Sequence, residues 1–195
     1  MKRFIWSILH VLNRYIAKPK MVLGYKNRLG TCLNNTRISN TVDIVQADKL
    51  DIADNVFIAH YTILDCSNRL SIGEGCQICA YVQLLTHSSH IAIRLYGKHY
   101  IEYNGQHEGY IKGSTSIGKY TFIGPHSVIM PNAHIGKGSI VNAYSYVKSG
   151  SYPDFAILAG NPATVIGDTR KLDAEFLELH PNLKHFYNEW ANYDD

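Results

Sequence analysis

Residues 116–148 read SIGKYTFIGPHSVIMPNAHIGKGSIVNAYSYVK, and an aliphatic side chain returns at every sixth position: Ile117, Ile123, Ile129, Ile135, Val141 and Val147. The same step runs upstream through Ile52, Ile58 and Leu64, and again through Ile72, Ile78 and Leu84. The residue after the aliphatic is often small, as at Ala53, Ala59, Gly73, Gly118, Gly124 and Gly136. Four positions after it stands a small or β-branched residue: Val56, Thr62, Cys76, Val82, Thr121, Ser127, Ala133, Ser139 or Ser145. A helix repeats every ~3.6 residues and a lone strand every second residue, so neither produces a period of six. A parallel β-helix does. Three hexapeptides close one triangular coil, each aliphatic points into a narrow core, and stacked coils bury a column that none could bury alone.

Working outward, the beat slips by two residues between Ile44 and Ile52 and between Leu64 and Ile72, which marks corner insertions at 46–49 and 66–69. A far larger insertion spans residues 87–115 and carries His87, His90, Arg94, Tyr96, His99, Tyr100, Tyr103, His107 and Tyr110. A long loop on a rigid scaffold is usually functional or disordered, and the aromatics and histidines point to an ordered, functional one. Residues 20–37 read as an irregular lead-in. Residues 155–166 read as a strand pair split at Asn161-Pro162. Leu172, Phe176, Leu179 and Leu183 recur at helical spacing, with a break at His180-Pro181. The expected organisation is an N-terminal helix and lead-in over 1–35, a β-helix domain over 36–166 with the protruding loop 87–115, and a C-terminal helical cap over 167–195.

The first sixteen residues differ from the rest: Phe4, Ile5, Trp6, Ile8, Leu9, Val11 and Leu12 alternate with Lys2, Arg3, His10 and Arg14. The run is too short and interrupted to span a bilayer, and it lacks the small-residue cleavage site of a secretory signal. Two readings stand. The helix packs on the β-helix or on a neighbouring subunit, or it makes a peripheral contact with the inner membrane face through Trp6 and the basic residues.

Composition narrows the function. A chain of 195 residues suffices for one domain with a real core. The net charge is only +3 and no block of Lys or Arg occurs, so nucleic acid is not an expected partner. Fourteen tyrosines against six phenylalanines suggest rings with a polar tip at clefts or interfaces. Cys76 and Cys79 spell C-x-x-C, but no second pair completes a zinc site, and Cys76 falls on a small inward position of the repeat. They read as structural thiols, no metal site is expected, and free thiols suit a reducing cytoplasm.

The repeats, the Leu84-Leu-Thr-His87 segment and the Leu158-Ala-Gly-Asn-Pro-Ala163 segment together resemble the hexapeptide-repeat acyltransferases. Within them the likeness is to the O-acetyltransferases of bacterial surface polysaccharides, akin to the galactoside and maltose acetyltransferases, and it covers roughly residues 36–168. The resemblance implies a mainly β fold, a left-handed parallel β-helix, and a homotrimer with active sites between adjacent subunits. It implies acetyl-CoA as co-substrate and a sugar or polysaccharide-precursor acceptor. It also implies direct transfer: a histidine removes the proton of a sugar hydroxyl, which attacks the thioester, a task suited to an imidazole.

By that resemblance His87 is the base, with His90 as the competing candidate. Phe122, Gly124 and Pro125 match the acetyl end of the cofactor groove. Pro125 has no N–H, which leaves Gly124 as the candidate oxyanion donor. Ala143 and Lys148 match positions along the pantetheine arm, and Ala159, Gly160 and Pro162 match the adenine end. Galactoside-type enzymes carry an acceptor-binding Asn where this chain has Ala59, so His60 and Asp65 become the acceptor candidates, with Arg94, Tyr96 and His99 of the loop either binding acceptor or ordering the loop. Two other activities share the scaffold. One is N-acetylation of an amino sugar, for example a nucleotide-linked one. The other is a metal-dependent lyase resembling the γ-type carbonic anhydrases, for which His87, His126 and His134 are available without the expected spacing.

Overall fold

The computed structural model describes residues 18–192; the helix expected over residues 1–16 lies outside them. Short parallel strands stack into three faces of a left-handed β-helix. The first face carries Cys32–Ser39, Phe57–Ile58, Gln77–Ile78, Phe122–Ile123, Ile140–Val141 and Ala156–Gly160. The second carries Asp43–Val45, Ile63–Asp65, Gln83–Leu84, Val128–Ile129 and Tyr146–Val147. The third carries Leu50–Ile52, Leu70–Ile72, Thr115–Ile117, Ala133–Ile135 and Gly150–Tyr152.

The six-residue aliphatics meet in register. Ile38, Ile58, Ile78, Ile123, Val141 and Leu158 form one column on the first face. Ile44, Leu64, Leu84, Ile129 and Val147 form the second, and Ile52, Ile72, Ile117 and Ile135 the third. Ile72 pairs directly with Ile117, so the long loop leaves the stack and returns without disturbing it.

The small residues four positions on are also buried, and their polar atoms are satisfied between coils except at Ser145, whose hydroxyl has no partner among the described residues. Thr62 Oγ1 donates to Cys79 O at 3.0 Å, Thr121 Oγ1 to Gly136 O at 3.1 Å and Ser127 Oγ to Asn142 O at 2.9 Å. These three hydroxyls therefore bond to the next coil rather than standing unpaired. The Cys76 thiol takes the same place, donating to Gly118 O at 3.0 Å.

Three edges join the faces. The first edge, between the first and second faces, turns through Tyr61, Tyr81, His126 and Tyr144, all with φ near +60°. Ring-bearing residues rarely adopt this left-handed backbone. Here the rings stack along the axis, with centroids 5.2, 4.8 and 4.9 Å apart, and that stacking offsets part of the backbone cost. Gly124 lies on the same edge, where an added Cβ would sit 2.5 Å from Ala143 N, so the coils approach too closely for any side chain.

Residues 20–37, expected to be irregular, instead contribute an antiparallel hairpin of Met21–Lys26 with Cys32–Ser39. A register shift between Leu23 and Tyr25 breaks the alternation that would have announced it. The hairpin covers the exposed strand of the first coil. In the long loop, His87–Ser88 pairs antiparallel with Ile111–Lys112, and helix α1 (Ala92–Tyr96) follows the outgoing strand. At the far end Ala156–Gly160 folds back on Ala163–Asp168 through a cis Asn161–Pro162 bond. Helix α2 (Thr169–Leu179) starts at Asp168, whose side chain accepts from Arg170 N, and α3 (Lys184–Ala191) follows the break at Pro181. Trp190 of α3 packs on Tyr120 and Phe155 at 4.6 and 5.8 Å.

Candidate active site

His87 stands on the second edge, between the second and third faces, where the long loop departs. Its Nδ1 lies 2.6 Å from Asp65 Oδ2, and its ring stacks on Tyr110 with centroids 5.8 Å apart and planes within 9°. Asp65 is 3% exposed. Its Oδ1 accepts from Ser67 N (3.0 Å) and Ser67 Oγ (2.5 Å), and its Oδ2 from Thr86 N (2.9 Å) and Thr86 Oγ1 (3.0 Å) as well as from His87. Burial opposes its charge, but the bonds from Ser67 and Thr86 outweigh that and hold its carboxyl down at about 2. An ionised carboxylate only accepts, so His87 Nδ1 carries a proton, and the neutral ring has its lone pair on Nε2. The His87 side chain is 39% exposed, so this nitrogen is within reach of solvent or substrate. The arrangement is that of a general base oriented by a buried acid.

Asp65, named as an acceptor candidate, makes its side-chain hydrogen bonds to Ser67, Thr86 and His87, and its carboxylate is closed off from solvent. Ser67, Thr86 and Tyr110, which complete the mount, carry no signal in the six-residue pattern because they stand in corner and loop positions. His90, the competing base, is exposed, and its Nδ1 is 2.8 Å from Ser88 Oγ with no carboxylate beside it. Arg94 donates to the His90 carbonyl. Tyr96 OH accepts from Glu108 N at 2.9 Å, and its ring joins Tyr103 and His107, which makes it part of the loop's own packing. His99 is exposed beside Glu102 at 3.3 Å.

The expected cofactor residues separate into two places. Phe122, Gly124, Pro125, Ala143, Ala159, Gly160 and Pro162 follow the first edge and its upper end, with Phe122 40% exposed. Lys148 stands apart from them, exposed on the second edge like His87. Gly124 is not the oxyanion donor: its N–H donates to Val141 O at 2.7 Å, so the strand ladder consumes it. His60, on the first edge, has Nδ1 2.6 Å from Ser39 Oγ. His87, His126 and His134 do not converge. His126 is stacked between Tyr81 and Tyr144 on the first edge, and His134 bonds Ser116 Oγ at 2.8 Å on the third face.

The left-handed coils, the histidine at the loop's root and the row of small residues along one edge define a hexapeptide-repeat protein. Residues 114–149 match the family model described as bacterial transferase hexapeptide (six repeats). A Staphylococcus aureus (strain MRSA252) protein with a provisional acetyltransferase name is 35% identical over 78 residues, 40% of this chain; the match spans only 37% of the length of that curated relative. The dTDP-4-amino-4,6-dideoxy-D-glucose acyltransferase of Escherichia coli is 26% identical over 77% of this chain and 76% of its own. Among solved structures, AntD, an N-acyltransferase from Bacillus cereus in complex with dTDP and 3-hydroxybutyryl-CoA, is 27% identical over 74% of this chain and 87% of its own, with a TM-score of 0.52. A hexapeptide-repeat acetyltransferase from Vibrio cholerae shares the fold at a TM-score of 0.58 over 67% of this chain and 69% of its own, with 21% identity.

Proposed function

We propose that this protein transfers an acyl group, acetyl in the simplest case, from acyl-CoA directly to a sugar, with His87 as general base. The observation that carries this reading is the 2.6 Å bond between His87 Nδ1 and the ionised, buried Asp65. It fixes the tautomer in which Nε2 takes a proton. As the sugar nucleophile attacks the thioester carbonyl, Nε2 accepts its proton and Asp65 stabilises the resulting imidazolium. The tetrahedral intermediate then collapses, the C–S bond breaks, and His87 returns the proton to the departing thiolate.

The cofactor would lie along the first edge, beside the exposed ring of Phe122 and over Gly124 and Ala143. Within one chain His87 is on the second edge, so a complete site needs the first edge of another copy. That requirement supports the expected homotrimer with sites between subunits. The CoA donor and the free cysteines suit a reducing compartment such as the cytoplasm. Contact between the N-terminal segment and a membrane surface stays a proposal; among the described residues no helix is long and apolar enough to cross one.

The acceptor atom has two readings. A hydroxyl of a surface-polysaccharide precursor is the reading of the sequence. A nucleotide-linked amine is favoured by a specific observation: the E. coli acyltransferase and AntD match about three-quarters of this chain or more, and their names give a dTDP-amino sugar and an N-acyl transfer. The metal-lyase reading has no such support. Release of CoA thiol in the presence of dTDP-4-amino-4,6-dideoxyglucose, compared with hydroxyl-only sugars, tests the choice. Turnover with the amine alone assigns N-acylation, and turnover with the hydroxyl sugars assigns O-acylation.

A further inference from the structure

A polar cavity of about 270 Å³ opens on the third face beside the second edge, outside the residues so far assigned. Its floor is built from outward side chains of the third face, where Asp51, Ser71 and Ser116 stand in register on adjacent strands. Arg28, from the tip of the N-terminal hairpin, reaches over it and meets Asp51 at 3.4 Å. Lys49 and Arg69 line it from the corner insertions that interrupt the six-residue beat.

The charges do not cancel. Three cations, Arg28, Lys49 and Arg69, face two carboxylates, Asp48 and Asp51. Arg28 is paired with Asp51, though at a long distance, and Lys49 Nζ donates to the Ser67 carbonyl at 2.8 Å. Among the described residues the Arg69 guanidinium has neither an ion pair nor a hydrogen bond. A fork of five donors beside serine hydroxyls, with no carboxylate bound, is the chemistry that holds phosphate oxygens.

The cavity and the catalytic mount are linked through Ser67. Asp65 holds His87, and Ser67 holds Asp65. Lys49 is bound to the carbonyl of that same Ser67, and Arg69 follows two residues on. Arg69 is four positions after Asp65, at most about 14 Å away even if the chain between is fully extended. A bound anion would therefore sit close to the base that acts on the sugar.

We infer that this cavity binds the diphosphate of the acceptor, so that the sugar is acylated while still attached to a diphosphate carrier. The inference rests on the acyl-transfer reading for the sugar's fate, but anion binding by the cavity stands apart from it. Arg69 is then a specificity-determining residue. The two carriers that supply this chemistry, a nucleotide and a lipid, bring the same diphosphate and differ in what is attached to it.

The test is thermal unfolding at constant ionic strength with inorganic pyrophosphate, dTDP, geranyl diphosphate or acetyl-CoA, on the wild type, Arg69→Gln and Arg28→Gln. Both arginines are at the surface, so both variants should fold. Pyrophosphate is expected to raise the wild-type midpoint, and Arg69→Gln to weaken its binding about tenfold or more while the response to acetyl-CoA is unchanged. Tighter binding of dTDP than of geranyl diphosphate assigns a nucleotide carrier, and the reverse assigns a lipid one. If pyrophosphate does not stabilise the wild type, or stabilises Arg69→Gln and Arg28→Gln equally well, the inference is wrong. Loss of the acetyl-CoA response alone would instead overturn the acyl-transfer reading and leave the cavity's ligand standing.

Discussion

The Nδ1 of His87 and the Oδ2 of Asp65 are 2.6 Å apart, across two successive coils of the β-helix. Asp65 ends a strand of the second face, and His87 leaves that face one coil later. The coil stack therefore sets the pair's spacing, and the outer part of the loop does not. Four further hydrogen bonds, from Ser67 and Thr86, keep the acid ionised and in place.

Replacing Asp65 by Asn should impair catalysis more than folding. The amide can donate to Nδ1, which selects the tautomer whose Nε2 carries a proton and cannot act as base. We expect kcat to fall about 10²-fold or more, with the response to acetyl-CoA retained. Steady-state rates alongside ligand-induced thermal shifts separate the two effects.

The same acid makes stability depend on pH. Its folded pKa, about 2, lies below the ordinary aspartate value of 3.8. The ionised form is thus favoured by folding, and its contribution is fully present above about pH 4. It is lost as pH falls from there toward 2. Denaturant titrations at pH 6, 4 and 2.5 should show a loss in the wild type that is smaller in Asp65→Asn.

The repeat announced most of this architecture. Every aliphatic of the six-residue beat from Ile52 to Val147 is buried, and Thr62, Cys76, Thr121 and Ser127 are buried at the small inward positions. The period sets the register, and register sets the core, so one pattern carried both. His87 was legible through the segment at the loop's root. Its pairing with Asp65 was not, because Asp65 ends a strand just before a corner insertion and contact between coils is invisible to a local pattern. The N-terminal hairpin was hidden by a register shift, and the Gly124 N–H was hidden because a ladder bond depends on the neighbouring coil. The separation of Lys148 from Phe122 and Ala143 was implicit in the numbering, since successive hexapeptides must turn onto different faces.

Close approach at the first edge gives a stability prediction. Gly124→Ala puts a methyl 2.5 Å from Ala143 N, a backbone atom that cannot swing aside. We expect a loss of about 1–3 kcal/mol, seen as a lower denaturation midpoint. On the first-face core column, Ile123→Ala should cost about 2–5 kcal/mol by leaving a cavity between Ile78 and Val141.

The thiols should differ sharply in reactivity. Burial pushes Cys76 up to about 11, and burial together with the nearby Asp65 and Asp48 charges pushes Cys66 up to about 12. Cys32 is exposed. Alkylation of the native protein at pH 8, followed by mass mapping, should therefore label Cys32 and spare Cys66 and Cys76 until the protein is unfolded.

The central claim is that His87 performs the proton transfer in acyl-CoA-dependent transfer to a sugar. The most direct test is CoA-thiol release with acetyl-CoA and dTDP-4-amino-4,6-dideoxyglucose, on the wild type and His87→Ala, with acetyl-CoA binding followed in parallel by thermal shift. The account predicts that both proteins bind acetyl-CoA and that the variant turns over about 10²- to 10⁴-fold more slowly. A variant that binds acetyl-CoA and releases thiol at the wild-type rate would contradict it.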